Sequence, residues 1–372
     1  MRILIAPNAF KNSLGAPSCA EAIESGILRA NSRIKTTKIP IADGGDGTLE
    51  VLAGFIDTQI RQSEVLNPIG VPIHAKWALK DELAIIEMAE ASGIRLIPKK
   101  ELNPEITSSD GTGQLIREAL DNDVKKIVIG LGGSATVDGG TGILRALGVK
   151  FYDKVGKEII TQNPLIHFDR VDWSALYDFG NTKFLTLCDV TNPLTGEEGA
   201  SHVFGPQKGA NKNTVKLLEE SMQSWKEILE KTFKVKISEL KGGGAAGGIS
   251  AMLHAVFGAE LTEGTDYVFQ TVGIEEAIKR ADLIITAEGK VDKQTISGKG
   301  PAGVAKLAHN MKKPVICLAG QISDIEQLNK CFDAVFPISN GPNDLETLLQ
   351  NTYNDLSRNT EQLIRLFQSG QK

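Results

Sequence analysis

A glycine-rich stretch at residues 126–148 constrains the fold of this chain more than any other segment. Its sequence is KIVIGLGGSATVDGGTGILRALG. It opens with an apolar, β-branched run typical of a buried strand and closes with a helical pattern. Six glycines lie within the thirteen residues 130–142. Because glycine admits positive φ and carries no side chain, the segment predicts a loop that holds phosphate oxygens ahead of a helix. A glycine-rich turn packed against a neighbouring element is the alternative.

Strand and helix patterns alternate at both ends of the chain, which indicates α/β architecture with parallel strands. Apolar, strand-like runs occur at 2–6, 35–42, 283–286, 315–319 and 334–338, and helical spacing occurs at 18–30, 48–55 and 344–367.

The middle of the chain has a different pattern. Apolar and polar residues alternate over 71–79, a turn follows, and residues 83–88 return as a second strand, so we expect an antiparallel hairpin. The predicted fold class is therefore α/β with two α/β domains. One is a discontinuous domain with a parallel sheet, formed by 1–70 and 281–372. The other is an inserted domain with a mixed sheet, 71–280, which carries the glycine-rich loop.

Composition excludes several classes of protein. The formal net charge is −5 without blocks of like charge, so neither a nucleic-acid partner nor an anionic membrane is expected. The four cysteines form no Cys-x-x-Cys pair, and the five histidines lack metal-ligand spacing. Reduced cysteines and a start without a hydrophobic leader predict a cytoplasmic protein.

Polar loops that follow strands are the places where chemistry is expected. Lys11 follows the first strand, Asp189 follows a buried strand at 183–188, and acids and a lysine follow the strand at 283–286. In open α/β sheets, ligands bind at the carboxyl ends of the strands. These loops predict binding of a phosphorylated or anionic small molecule with a divalent cation, and they favour a phosphotransferase.

The same glycines also fit a second class of enzyme. Residues 130–135, GLGGSA, match the dinucleotide fingerprint G-x-G-x-x-G/A, and Asp153 lies near the position of a ribose-binding acid. However, the second glycine cluster at 138–142 would fall within the first turns of the required helix. Two alternatives remain open on this evidence: an NAD-dependent oxidoreductase and a non-catalytic anion-binding module.

Ten short motifs in order give the chain a clear resemblance to the bacterial class-I glycerate kinases over nearly its whole length. They are APNAFKNSL (6–14), PIADGGDGT (40–48), EMAEASG (87–93), GTGQLI (111–116), IGLGGSATVDGGTG (129–142), CDVTNPLTG (188–196), FGPQKGA (204–210), GAAGG (244–248), AEGKVD (287–292) and SGKGPAGVA (297–305).

The resemblance implies ATP-dependent phosphorylation of D-glycerate, with Mg²⁺, to give 2-phosphoglycerate. It also implies one flavodoxin-like domain and one domain similar to a restriction-enzyme fold. The residues alone do not decide which hydroxyl is phosphorylated, and they leave a homo-oligomer open.

The resemblance also suggests roles for individual positions, and these stay expectations. Asp189 and Lys11 are expected in catalysis, and Asp189 and Asp292 are expected to hold the metal. The residues expected to bind nucleotide phosphates are Gly132, Gly133, Ser134, Asp138, Gly139 and Gly140. The residues expected to bind the substrate are Asp43, Asp46, Asn192 and Lys290.

The chain departs from the family pattern at five positions. They are Asn8 and Asn12, where acids are usual, Gln114 in place of Glu, Val137 in place of Asn, and Ala287 in place of Gly. The missing carboxylates at 8 and 12 shift the expected metal ligands away from the first loop and toward Asp189 and Asp292.

Overall fold

The computed structural model describes residues 1–292, 295 and 300–370. The chain forms two compact units: unit 1 comprises Met1–Phe55 and Thr265–Lys372, and unit 2 comprises Ile56–Gly264. Residues 297–299, which open the SGKGPAGVA motif, lie outside the described residues.

The regular elements are as follows. The strands are β1 (Arg2–Ile5), β2 (Lys35–Lys38), β3 (Gln59–Leu66), β4 (Pro72–Lys80), β5 (Leu83–Glu87), β6 (Lys126–Gly130), β7 (Lys150–Tyr152), β8 (Arg170–Asp172), β9 (Lys183–Leu187), β10 (Glu260–Thr262), β11 (Leu283–Val291), β12 (Val315–Ile322) and β13 (Ala334–Pro337). The helices are α1 (Ala16–Ala30), α2 (Thr48–Ile56), α3 (Ala89–Ser92), α4 (Asp110–Asp121), α5 (Thr141–Ala146), α6 (Ala200–Phe204), α7 (Lys212–Phe233), α8 (Ala245–Phe257), α9 (Gly264–Val272), α10 (Ile274–Arg280), α11 (Pro301–Asn310), α12 (Ile325–Leu328) and α13 (Leu345–Ser369).

Unit 1 is built on a five-stranded parallel sheet with the order β13-β12-β11-β1-β2. When its strands are counted along the chain, this order becomes 2-1-3-4-5, the flavodoxin-like arrangement. The sheet buries Ile3 and Ile5 of β1, and the apolar faces of α1 and α13 complete the core. The parallel sheet places all five carboxyl ends on one edge.

Unit 2 contains a six-stranded mixed sheet with the order β10-β9-β6-β5-β4-β3. The strands β5, β6, β9 and β10 are parallel neighbours, whereas β3, β4 and β5 pair antiparallel. The predicted hairpin is present, with Trp77 opposite Ile86. The predicted fold class, α/β with one parallel and one mixed sheet, is confirmed. The likeness of unit 2 to a restriction-enzyme fold stays a prediction.

The units divide at 55/56 and 264/265, whereas the sequence predicted divisions near 70 and 280. The strand β3 explains the first difference, because it pairs with β4 along its whole length and so belongs to the mixed sheet. Its sequence, QIRQSEVL, is mostly polar and half-exposed, as suits an edge strand. Because few of its residues are apolar, the sequence lacks the alternation of apolar and polar residues from which a strand is predicted.

A cluster of aromatic side chains in unit 2 lies beneath the glycine-rich loop. Trp225 of α7 packs against Phe151, Phe168 and Trp173, with ring centroids 5.6–6.0 Å apart. The helical spacing of Leu218, Met222, Trp225 and Leu229 in the sequence predicts that these residues of α7 belong to the core, and all four are completely buried. The loop therefore rests on a rigid support.

Candidate functional site

The carboxyl edge of the unit 1 sheet carries a cavity of about 630 Å³. This is the edge at which flavodoxin-like sheets bind their ligands, beside the point where the strand order reverses between β1 and β11. The polar and charged residues that line it include Asn8, Lys11, Asp43, Glu288, Lys290 and Asp292. Four of the predicted site residues, Lys11, Asp43, Lys290 and Asp292, thus line one cavity.

The loop after β1 forms one wall of this cavity and is fixed by hydrogen bonds. Ser13 Oγ donates to the Leu349 carbonyl oxygen (2.6 Å), which ties the loop to α13. Asn8 is buried, and its Nδ2 donates to Glu288 Oε1 at 3.4 Å. An aspartate at position 8, as in the family pattern, would offer a carboxylate where this chain offers a donor. Asn8 therefore donates a hydrogen bond to Glu288 and does not supply a carboxylate for a metal ion.

Glu288 is an acid of this cavity whose pKa lies well away from its ordinary value. Its pKa is raised from 4.5 to about 7, first by burial and then by the neighbouring Asp43 carboxylate, whereas Lys11 and the amide of Asn8 act in the opposite direction. A carboxyl group with a pKa near neutrality in a cleft is suited to accept or donate a proton. The sequence did not single out Glu288, because its perturbation depends on residues far away in the chain.

The three acids of unit 1 that the sequence predicted for the site, Asp43, Asp46 and Asp292, differ in their surroundings. Asp292 Oδ2 lies 2.9 Å from Lys290 Nζ, and this hydrogen bond raises the pKa of Lys290. Asp43 Oδ1 accepts a hydrogen bond from Gly45 N (3.1 Å), which fixes the turn that follows β2. Asp46 lies in the same loop but is not among the residues that line the cavity.

The carboxyl edge of the unit 2 sheet brings two further predicted segments side by side. Gly130 of β6 pairs with Leu187 of β9, and the chain then continues to Gly132 on one strand and to Asp189 on the other. Asp189 Oδ1 accepts a hydrogen bond from Gly264 N at 2.6 Å. The register alone therefore places the start of the glycine-rich loop next to Asp189.

Asn192 lies slightly beyond this edge and helps to shape the loop in which it stands. Its Nδ2 donates to the Glu198 carbonyl oxygen (2.9 Å), and its own carbonyl oxygen accepts from Gly244 N (2.9 Å). Both contacts hold backbone segments together.

The glycine-rich loop itself divides into two parts with different surroundings. In the first part, Gly133 is exposed with φ +74°, and the next residue, Ser134, accepts a hydrogen bond from Lys208 Nζ (2.7 Å). No acceptor for the amides of Gly132 and Gly133 is found among the described residues. This part of the loop retains the features expected of an anion-binding turn.

The second part of the loop, Asp138–Gly140, is buried and internally bonded. Asp138 accepts hydrogen bonds from the Ser109 amide (2.8 Å) and hydroxyl (2.7 Å), and from Gly140 N (3.2 Å). Burial raises the pKa of Asp138, which is fully enclosed. Gly139 N donates to the Gly247 carbonyl oxygen (2.9 Å). These amides already have protein acceptors, so the geometry does not support the expected phosphate contacts of Asp138, Gly139 and Gly140.

Close packing explains the glycines of this second part. A Cβ built on Gly139 would lie 2.7 Å from Trp225 Cδ1, and one on Gly140 would collide with Met252. The Gly139 carbonyl oxygen also accepts a hydrogen bond from Trp225 Nε1 (2.9 Å). The alternative considered from the sequence, a glycine-rich turn packed against a neighbour, therefore describes Gly139 and Gly140.

The segment that matches the dinucleotide fingerprint, 130–135, does not form the turn that leads directly into a helix in dinucleotide-binding proteins. The helix α5 begins at Thr141 and not directly after Gly132, as a dinucleotide-binding turn requires. Asp153 caps a tight turn, where its Oδ1 accepts from Val155 N (3.0 Å) and Lys157 N (2.9 Å).

Lys208 is a second residue that the sequence did not single out. It belongs to the FGPQKGA motif and lies at the end of a 3₁₀ turn, Pro206–Lys208. Only 2% of its surface is exposed, which is rare for lysine. Its burial against the loop depends on tertiary packing, and the only signal in the sequence was its membership of the motif.

Two features are absent from the described part of the chain. No group of three or more His, Cys, Asp or Glu side chains there is arranged to hold a metal ion. No helix among the described residues is both long and apolar enough to cross a bilayer.

Comparison with known proteins gives consistent results. The model of the glycerate kinase family matches residues 3–368. The chain is 39% identical to glycerate 2-kinase of Escherichia coli (strain K12), over 96% of each chain. It is 40% identical to glycerate kinase of Bacillus subtilis (strain 168), over 96% of this chain and 95% of the other. A crystal structure assigned as a glycerate kinase 2 of Salmonella typhimurium LT2 is 39% identical, with a TM-score of 0.84 over 100% of this chain and 99% of that one. The chain belongs to the glycerate kinase family.

Proposed function

We propose that this protein transfers the γ-phosphoryl group of ATP to the 2-hydroxyl of D-glycerate, giving 2-phosphoglycerate and ADP. The observation that carries the proposal is a carboxyl group with a neutral-range pKa, Glu288, in a cavity that also holds cationic side chains, Lys11 and Lys290. Membership of the family supports ATP as the donor, and the name of the Escherichia coli relative, glycerate 2-kinase, supports the 2-hydroxyl.

Glu288 is the proposed proton acceptor. As the bond between the glycerate oxygen and phosphorus forms and the bond to the β-phosphate oxygen breaks, the hydroxyl proton passes to the Glu288 carboxylate, and ADP leaves with the electron pair of the broken bond. Burial favours the neutral acid, and so the protonated carboxyl that forms is well tolerated. Asn8, whose amide donates to Oε1, orients the carboxyl group.

Lys11 and Lys290 are the proposed anion contacts of this cavity. An ammonium group can bind the glycerate carboxylate or the oxygens of the transferring phosphoryl group, both of which are negatively charged. Asp43, whose charge raises the pKa of Glu288, is proposed to accept a hydrogen bond from a glycerate hydroxyl. Asp46 and Asn192 stay predicted substrate contacts.

The unit 2 edge is proposed to hold a second group of ligand atoms. The amides of Gly132 and Gly133 and the hydroxyl of Ser134 are suited to phosphate oxygens, because they form a turn with positive φ at the end of a strand. Asp189, at the end of the neighbouring strand, is proposed to orient the transferring group.

The chain offers suitable ligands for Mg²⁺. This ion prefers oxygen donors and usually takes one or two carboxylates, with phosphate and water oxygens completing its coordination. Asp292, in unit 1, and Asp189, in unit 2, are each proposed to offer a carboxylate oxygen to such an ion. When bound, Mg²⁺ neutralises charge on the transferring phosphoryl group.

The proposal can be tested by ³¹P NMR of the purified protein with ATP, Mg²⁺ and D-glycerate. We expect a D-glycerate-dependent 2-phosphoglycerate resonance with an equal amount of ADP. Appearance of 3-phosphoglycerate would contradict the choice of hydroxyl. If ATP stays intact and D-glycerate reduces NAD added to a parallel reaction, the oxidoreductase alternative is favoured. ADP binding without turnover favours the non-catalytic module.

A further inference from the structure

A buried lysine makes direct contact with the exposed end of the glycine-rich loop. Lys208 Nζ donates to Ser134 Oγ (2.7 Å) and to the Thr136 carbonyl oxygen (2.7 Å). Lys208 is 2% exposed, and Ser134 is 9% exposed. The amine of Lys208 therefore contacts the loop from a buried position, through a serine that is itself almost completely buried.

The chemistry of the two groups fixes the direction of the next hydrogen bond. In its protonated form the Lys208 amine has three donors and no acceptor, so Ser134 Oγ then accepts from Lys208. The serine O–H is then left to donate to another group. A hydroxyl whose oxygen already accepts from a cation is a stronger donor, because each hydrogen bond polarises the next.

The backbone before Ser134 adds further donors. Gly133 is exposed with φ +74°, a conformation that turns successive amides toward one point, and neither Gly132 N nor Gly133 N has an acceptor among the described residues. Two amides and one polarised hydroxyl thus occur within a single turn, and the buried amine of Lys208 contacts that hydroxyl. All of them favour an anionic oxygen.

We infer that Ser134, the amides of Gly132 and Gly133, and Lys208 behind them form an oxyanion subsite at the carboxyl edge of the unit 2 sheet. Its ligand is the oxygen of a phosphate or a carboxylate, which the nucleotide tail or D-glycerate supplies. Lys208 is a positioning residue that acts through Ser134. The inference rests on the proposed function for the identity of these ligands.

Electrostatics in this region give the subsite a measurable signature. Burial lowers the pKa of Lys208 to about 7, and Asp138, the one charged group found to act on it in the described part of the chain, opposes this shift. An anion bound at Ser134 would add a second negative charge and raise the pKa of Lys208 again. Binding above pH 7 should therefore take up a proton, whereas a lysine that only holds two segments together would leave proton uptake unchanged.

Calorimetric titration with ADP and, separately, with D-glycerate tests the inference. The proteins compared are the wild type, Lys208→Met, Ser134→Ala and the control Lys212→Met, an exposed lysine at the start of α7. We expect Ser134→Ala and Lys208→Met to raise the Kd for one of the two ligands by about tenfold or more and to leave the Kd for the other unchanged. The affected ligand identifies the source of the oxyanion.

Repeating the titration at pH 8 in two buffers of different ionisation enthalpy measures proton uptake. We expect uptake in the wild type and in Lys212→Met and none in Lys208→Met. If Lys208→Met does not fold, as judged by thermal unfolding, the Kd of Ser134→Ala decides. Wild-type affinity for both ligands in Ser134→Ala would overturn the subsite.

The two proposals fail separately, because this measurement needs no turnover. A wild-type protein that turns over ATP and D-glycerate while Ser134→Ala binds both ligands normally would refute the subsite alone. A protein that makes no phosphoglycerate but loses ADP affinity in Ser134→Ala would refute the proposed function alone.

Discussion

The neighbouring residues of each carboxylate decide whether it can take part in chemistry or only stabilises the fold. Glu288 and Asp138 are both acids in confined surroundings, yet their partners differ. Asp138 is surrounded by hydrogen-bond donors from Ser109 and the loop, and it serves as an internal cap. Glu288 has one long hydrogen bond from Asn8 and faces a cavity. Only the second arrangement leaves a carboxyl group available to a substrate.

The raised pKa of Glu288 has a consequence for stability that is independent of catalysis. The folded protein holds this proton up to about pH 7, whereas the unfolded chain releases it near pH 4.5. The stability contributed by Glu288 is therefore fully present below pH 4.5 and is lost as the pH rises to about 7. We expect Glu288→Gln to melt at a higher temperature than the wild type at pH 8 and at a similar temperature at pH 4.5.

Differential scanning calorimetry at the two pH values measures this difference. Glu326→Gln, an exposed glutamate in α12, is the matched control and should follow the wild type. A Glu288→Gln protein that is less stable than the wild type at pH 8 would show that the charged form is favoured in the fold.

Asp189 provides a second prediction for a single residue. If it orients the transferring group, Asp189→Ala should lower kcat by about tenfold or more, with a smaller effect on KM for ATP. Steady-state kinetics with varied ATP and D-glycerate separate the two parameters. Wild-type turnover from this variant would remove Asp189 from the mechanism and leave it the role of accepting from Gly264 N.

Among the structural elements, the glycine-rich loop shows how one sequence pattern can serve two purposes. The segment 132–134 is exposed or close to the surface, whereas 138–140 packs on Trp225 and Met252. Six of the thirteen residues at 130–142 are glycines, and the sequence does not indicate where the exposed part of the loop ends and the packed part begins. It depends on which helices pack under the loop, namely α7 and α8.

The packed half of the loop should respond to substitution by a loss of stability and not of ligand affinity. In Gly140→Ala the new Cβ would collide with Met252 at φ +75°, so we expect a loss of about 1–3 kcal/mol in the free energy of unfolding. KM for ATP should stay unchanged in the folded fraction. Chemical denaturation and steady-state kinetics measure the two quantities.

Gly156→Ala is the control for Gly140→Ala, because Gly156 also has positive φ (+81°) but has open space where the new Cβ would lie. It should show the cost of backbone strain without the collision. A Gly140→Ala protein with wild-type stability and a raised KM for ATP would contradict this account and support the expected phosphate contact of Gly140.

For the whole molecule, the sequence predicted well what depends on apolar periodicity and less well what depends on packing over long distances. The strands of the parallel sheet, the hairpin of β4 and β5 and the core face of α7 all follow from local pattern. The strand β3 did not, because an edge strand needs few apolar residues. It is also the reason why the units divide at 55/56.

The candidate site follows the same rule. Loops after strands were predicted to carry the chemistry, and Lys11, Asp43, Lys290 and Asp292 line one cavity. Glu288 and Lys208 were not singled out, because what distinguishes them is burial beside residues distant in the chain. Cytoplasmic location and the oligomeric state stay predictions from composition and from the resemblance.

The most direct test of the central claim is the pH dependence of kcat for D-glycerate-dependent ADP formation, with ATP, Mg²⁺ and D-glycerate all saturating. A general base with a pKa near 7 predicts that wild-type kcat rises through this pH and then levels. Glu288→Gln should be slower by about 100-fold or more and lack this rise, whereas Glu326→Gln should match the wild type. A Glu288→Gln protein with the wild-type rate and the wild-type pH profile would contradict the account.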